Sequence, residues 1–254
     1  MHPVSLPVLT LLFILGALAA VLNVFAGGGS MLTLPALIFV GLDPTVANGT
    51  NRVSIALQNL AATGGFSRWH GAELGESLKL ALLTLPGAIL GAWFGARISD
   101  TLFRYVLIGV LVLSTVTLFL PARRLGAGAP SAQRRWLIYP AMLATGLYGG
   151  FIQVGVGFLF MAALRGILKL DLVRVNVYKV FIVFLYTLPA LAIFVALGKV
   201  AWGDGLALGA GGMAGALLAT RLHLRGGERW VKVVLAIAIL LMSAKLLWPG
   251  LAGG

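Results

Sequence analysis

Two kinds of position alternate along this chain: long apolar runs, and short polar or glycine-rich interruptions. The runs cover 4–25, 76–96, 102–120, 136–154, 175–197, 203–220 and 229–248. About 18 or more apolar residues are what a helix needs to cross roughly 30 Å of hydrocarbon, so each run predicts a membrane-crossing helix. Two shorter apolar pieces, 30–42 and 156–168, each follow a glycine-rich break, "FAGGGS" and "QVGVGF". They are too brief to span comfortably. A further helix is expected over 44–65, yet its first turns read "VANGTNRVS" and carry two asparagines, a threonine and an arginine. The expected fold class is an all-α polytopic membrane protein.

The pattern repeats. Sliding the chain along itself by 128 positions, without gaps, brings Leu42-Asp43 onto Leu170-Asp171 and Asn48 onto Asn176. Gly27 and Gly29 fall on Gly155 and Gly157, Gly87-Ala88 on Gly215-Ala216, Arg97 on Arg225 and Pro121 on Pro249. Aliphatic matches are cheap in such a chain; the aligned Asp, Asn, Arg and Pro pairs carry the case. The expected units are 1–122 as a first membrane repeat, 123–135 as a linker ("RRLGAGAPSAQRR") and 136–254 as a second repeat.

Composition confirms the class and removes others. Hydrophobic residues make up 60% of the 254, charged residues 10%, and there is no cysteine, which excludes a disulfide framework and a thiolate metal site. The balance of 19 Lys+Arg against 7 Asp+Glu, a net +12, fits cytoplasmic loops of a membrane protein better than nucleic-acid binding. The first run has no Lys or Arg before it and is expected as a retained span rather than a signal peptide. With five segments per half, thirteen cations gather on one face and four on the other; with four per half they split almost evenly. The expectation is therefore two inverted-topology repeats with short, Gly-interrupted helices, and both termini outside the cytoplasm. That organisation points to a transporter whose substrate lies near the bilayer midplane, where broken helices meet.

The candidate chemistry sits on "VANGTNRVS" and its twin "VNVYKVFIV" at 175–183. Asn48 pairs with Asn176, Thr50 with Tyr178 and Asn51 with Lys179, while Arg52 stands one residue beyond. Asp43 and Asp171 precede these helices as expected N-caps. A charge at the bilayer centre costs ~2.5–3.5 kcal/mol on insertion scales, so Arg52 and Lys179 should face the protein interior or a watery path. Neither has a carboxylate within a helical turn of its own segment, and an anion between them would supply the countercharge. The competing expectation is that either cation snorkels to the rim or pairs with Asp43 or Asp171. Gly28, Gly29 and Gln153 complete the candidate substrate-binding set, with helix N-termini at the breaks as further donors. Positions 48, 51, 52, 55, 58 and 59 share one helical face, which either lines a path or bonds neighbouring helices. "GAILGAWFGA" at 87–96 is read as a helix-packing stripe. All seven acids lie at segment ends, so coupling through a buried mid-span carboxylate is not expected.

The stretches "FAGGGSML", "GLDPTVANGTNRV", "PGAILGAWFGARISDTLFRYVLIGVLVLS" and "DLVRVNVYKVFIVFLYTLPALAIFVALGKVAW" together resemble the TauE/SafE-type sulfite exporters, over nearly the whole chain. The second break, "QVGVGFLF", departs from the glycine triplet of the first. The resemblance implies a multi-pass protein of the bacterial inner membrane that exports sulfite, sulfoacetate or a related sulfur-containing or organic anion. An anion channel and an importer of a related oxyanion are the alternatives. An enzyme is not expected, because no span holds a nucleophile–base pair or a histidine or carboxylate cluster. No cofactor, metal or nucleic-acid partner is expected. The partners are a small anion and the bilayer, and a homodimer is compatible with the sequence.

Overall fold

In the computed structural model, residues 5–119 and 132–222 are described. Most of the expected linker 123–135 and all of the expected span 229–248 lie outside them. Among the described residues every regular element is helical: α1 (Leu6–Ala26), α2 (Ser30–Phe39), α3 (Pro44–Arg97), α4 (Asp100–Phe119), a 3₁₀ turn (Ala132–Leu137), α5 (Ile138–Phe151), α6 (Val156–Ile167), α7 (Leu172–Ala196) and α8 (Trp202–Leu222). Leu6–Phe25, Glu73–Arg97 and Leu172–Ala196 are each long and apolar enough to cross a membrane. Leu18, Leu82, Leu113, Tyr139 and Leu218 stand exposed on the outside, as side chains in contact with lipid do. The chain is an all-α, multi-pass membrane protein.

Where two separate spans, 44–65 and 76–97, are expected, α3 is one helix of 54 residues. It nevertheless folds back on itself. Asn48 donates to the carbonyl of Phe151 at 2.9 Å, and Gly95 packs directly on that same carbonyl. A straight helix, rising 1.5 Å per residue, would hold Asn48 and Gly95 roughly 70 Å apart. Gly65 still rests on Thr220 of α8, and Glu73 already faces Arg174 of α7, so the reversal lies between them. The two expected spans are thus the two limbs of α3. No proline occurs between Gly64 and Gly75. Helical structure persists through the turn.

The first limb is the centre of the molecule. Every residue from Ala47 to Ala56 is buried. Its polar side chains therefore meet other helices rather than lipid, where unsatisfied groups would be costly. The second limb packs through Gly87, Gly91 and Gly95 onto the backbone of Leu143, Leu147 and Phe151 in α5, where a methyl group in place of each hydrogen would collide. In the reciprocal contact, Gly211 and Gly215 of α8 lie the same way on Phe13 and Ala17 of α1. Small residues let membrane helices approach closely, as the 87–96 stripe predicts.

α7 crosses the first limb antiparallel: Gly49 and Arg52 meet Phe194, while Ile55 and Asn59 stand beside Val183 and Lys179. The short helices are too brief to complete a crossing. Val8 and Leu12 from the start of α1 share a packed cluster with Leu37, Phe39 and Leu42 at the end of α2. α6 likewise returns to the start of α5, its Leu164 and Ile167 clustering with Ile138. Ten and twelve residues cover only about 15 and 18 Å.

The 128-residue spacing is also written in the backbone. Positive φ angles occur at Gly27 (79°) and Gly155 (70°), and again at Gly41 (101°) and Lys169 (57°). The N-caps differ between halves. Asp171 accepts from the N–H groups of Val173 and Arg174, both at 3.0 Å, but the Asp43 side chain makes no capping bond. The expected Asp43 cap fails because the first-turn N–H of Thr45 is taken by Asp100, at 2.8 Å.

Candidate functional site

The glycine breaks bring the halves together. Gly27 and Gly157 touch backbone to backbone, leaving no room for a side chain on either. Gly29, at the start of α2, presses on Ala19 and Asn23 of α1, and Gly28 is buried beside it.

Around this contact each half caps the other. Arg52, on the first limb of α3, is fully buried; its guanidinium donates to the carbonyls of Gly149, at 3.3 Å, and Gly150. Asn48, one turn earlier, takes the next carbonyl, that of Phe151. Together they satisfy the C-terminal end of α5, whose last carbonyls have no partner within the helix. Lys179, on α7, does the same for α1: its ammonium donates to the carbonyls of Asn23 at 2.9 Å and Val24 at 3.2 Å, and to Asn176 Oδ1 at 2.8 Å. Position 23 plus the repeat of 128 is position 151, so Lys179 and Asn48 meet equivalent carbonyls, while Arg52 takes the two before it and Asn176 accepts from Lys179. No ion pair among the described residues involves either cation. Their countercharge is a helix C-terminus, which carries about half a negative charge. The expectation that each would snorkel or find Asp43 or Asp171 is not met, since the other half's backbone reaches them first.

The remaining candidate residues separate. Thr50 is buried and accepts from the N–H of Ala201 at 2.9 Å, joining the first limb to the α7–α8 turn. Asn51 accepts from Thr33 of α2 at 2.6 Å and leaves its Nδ2 without a partner. The Tyr178 hydroxyl donates to the Glu76 carboxylate, which also faces Arg174 at 3.5 Å, at the opposite end of α7 from Phe194. Gln153 donates to Thr187 at 2.8 Å, and its Oε1 is unbound.

Lys179 and Gln153 share a small cavity with Asn23, Ser30, Asn59 and Gly157. Its space is about 10 Å³, roughly the room of one water molecule. The Ser30 hydroxyl donates to the Gln153 carbonyl at 2.8 Å, so the first turns of α2 and α6 open onto the same space. Arg52, Thr50 and Tyr178 do not line it. Asn23 and Ser30 are the members that sequence reasoning missed; their only signal was adjacency to the first break. Asn59 lay on the polar face of the first limb.

The family model described as Sulfite exporter TauE/SafE matches residues 12–246. Among curated proteins, the chain is 26% identical over 247 residues to a "Probable membrane transporter protein" of Haemophilus influenzae, covering 96% of each chain. It is 29% identical over 249 residues to "Probable membrane transporter protein YfcA" of Escherichia coli K12, covering 96% of this chain and 91% of that one. A "Probable membrane transporter protein ORF9" of a Sinorhizobium species is 25% identical over 249 residues, with 97% and 95% covered. No solved structure matches.

Proposed function

The chain belongs to the sulfite exporter TauE/SafE family of membrane transporters, and on that premise we propose that it is a secondary transporter exporting a small oxyanion across the inner membrane. The substrate class is sulfite, sulfoacetate or a similar sulfur-containing or organic anion, held midway between two inverted repeats, 1–122 and 136–254. The observation that carries this reading is the reciprocal capping at the centre. Two buried cations on twin, antiparallel helices hold the opposite half by helix-end carbonyls alone, with no acidic side chain in between. A site rich in donors and free of carboxylates selects anions. The antiparallel crossing of α7 with the first limb supports the inverted relation, because the two are the same position in the repeat. A re-entrant helix in each half, starting at the breaks, supports a midplane site.

The closed cavity favours a carrier over a channel, since a channel needs a continuous polar path. The test is reconstitution of the purified protein in liposomes loaded with sulfite, sulfoacetate or lactate. Saturable efflux of a sulfur oxyanion, blocked by competing anions, is expected. Flux linear in concentration would make the protein a channel, and no flux of any anion would remove the reading.

A further inference from the structure

Resting on the transporter reading, the geometry points to a division of labour that the repeat conceals: Lys179 alone is the substrate's cation, and Arg52 is a fixed clamp. The two are near-equivalent in sequence but not in surroundings. Arg52 is enclosed by the carbonyls of Gly149 and Gly150 on one side and the Phe194 ring, 4.6 Å from its central carbon, on the other. It does not line the small cavity beside Gln153. Lys179 lines it, together with Ser30, Asn59 and Gln153.

That cavity already holds what a small oxyanion requires. The Lys179 ammonium supplies charge. Gln153, 1% exposed, keeps its Oε1 unbound; with the amide turned over, Oε1 accepts from the Thr187 hydroxyl and the freed NH2 donates to an anion. The first turns of α2 and α6 bring the positive ends of their dipoles, while the N–H groups of Met31, Leu32, Val156 and Phe158 are bonded within the turns. An anion seated there competes with the Asn23 and Val24 carbonyls for Lys179. Binding therefore loosens the end of α1 from α7 and opens a space now sized for one water. Arg52 keeps one donor, its Nε–H, without a partner, but it does not line this cavity, so α5 stays clamped throughout. The two halves are then mechanically unequal: α1 moves on binding and α5 does not.

The experiment is thermal melting of the detergent-purified protein, with sulfite, sulfoacetate, sulfate, taurine and lactate each titrated in the millimolar range. Lys179→Gln, Gln153→Glu and Arg52→Lys are compared with wild type. Gln153→Glu preserves shape and places a negative charge in the cavity, so it speaks even where Lys179→Gln folds poorly. Expected is an anion that stabilises wild type, with the half-saturating concentration raised about tenfold or more in Lys179→Gln and Gln153→Glu. Arg52→Lys should melt lower without ligand yet keep its half-saturating concentration within about threefold. Loss of the response in Arg52→Lys with retention in the other two would overturn the assignment and leave the transporter reading standing. If none of the five anions stabilises wild type, both readings fall together.

Discussion

The ammonium of Lys179 lies 2.9 Å from the carbonyl oxygen of Asn23, and the side-chain amide of Asn48 lies 2.9 Å from the carbonyl oxygen of Phe151, one repeat further along. Each half reaches across to finish the other half's first helix. Removing a cap therefore breaks the join between halves and leaves buried acceptors without donors. For Arg52→Leu the orphaned groups are the Gly149 and Gly150 carbonyls, at a cost of ~1–3 kcal/mol each in mutational series. Membrane hydrogen bonds average less, about 0.6 kcal/mol, so the lower part of that range is expected. Arg52→Leu should lower the melting temperature clearly, and Arg52→Lys should recover part of the loss. Equal melting of wild type and Arg52→Leu would show that the clamp contributes nothing.

The two aspartates at the helix starts give a sharper contrast. Asp171 accepts two N–H groups at the start of α7, and its replacement by alanine should cost about 1 kcal/mol. Asp43 makes no such bond, since Thr45 is held by Asp100 instead. Asp43→Ala should melt within about 0.5 kcal/mol of wild type, the usual range for surface changes. Asp100→Ala should behave like Asp171→Ala. Thermal melting of the three variants side by side decides the matter, and a larger loss for Asp43 than for Asp171 would contradict the assignment.

Much of this arrangement was legible before any coordinates. Lipid demands continuous apolar surface, so the spans announce themselves, and "VANGTNRVS" stands out because only a protein-enclosed helix tolerates it. The 128-residue repeat placed Arg52 one residue beyond the counterpart of Lys179. What stayed hidden were their partners. A backbone carbonyl has no residue-type signature, so nothing in the chain marks Gly149, Gly150, Asn23 or Val24 as acceptors. Reasoning from side chains alone asks for an acid or an anion beside each cation; the fold supplies helix ends. For the same reason, the different surroundings of Arg52 and Lys179 required the packing of Phe194 and Gln153 to be known. The continuity of α3 was hidden because glycine-rich stretches usually end helices, and here the helix runs on through Gly64 to Gly75.

The touching breaks predict which glycines are replaceable. Gly157 lies against the backbone of Gly27, and neither chain has a flexible side chain to move aside. Gly157→Ala should cost about 1–3 kcal/mol or more through overpacking, and should lower transport further by forcing the halves apart. Gly75, within α3, has open space around it. Gly75→Ala should be neutral or stabilise by ~0.5–1 kcal/mol, because alanine loses less backbone entropy in a helix. Melting temperature and liposome efflux of the two variants test this. A tolerated Gly157→Ala would mean the breaks are not in contact during function.

The doubled-back path of α3 and the antiparallel course of α7 predict which turns face which side of the membrane. The bend near Gly75 and the turn at Lys199 lie at opposite ends of the molecule, since Glu76 meets Tyr178 early in α7, whereas Thr50 bonds Ala201 just beyond its end. On the orientation we propose from the cation distribution, the bend faces the cytoplasm and Lys199 the outside. The chain has no cysteine, so single cysteines can be introduced into the natural sequence without other changes. Gly75→Cys should react with a membrane-impermeant maleimide only after the cells are permeabilised, and Lys199→Cys should react in intact cells. Labelling of both from the same side would break the inverted relation between the halves. Labelling in the reverse order would keep that relation and turn the whole molecule over, placing both termini in the cytoplasm.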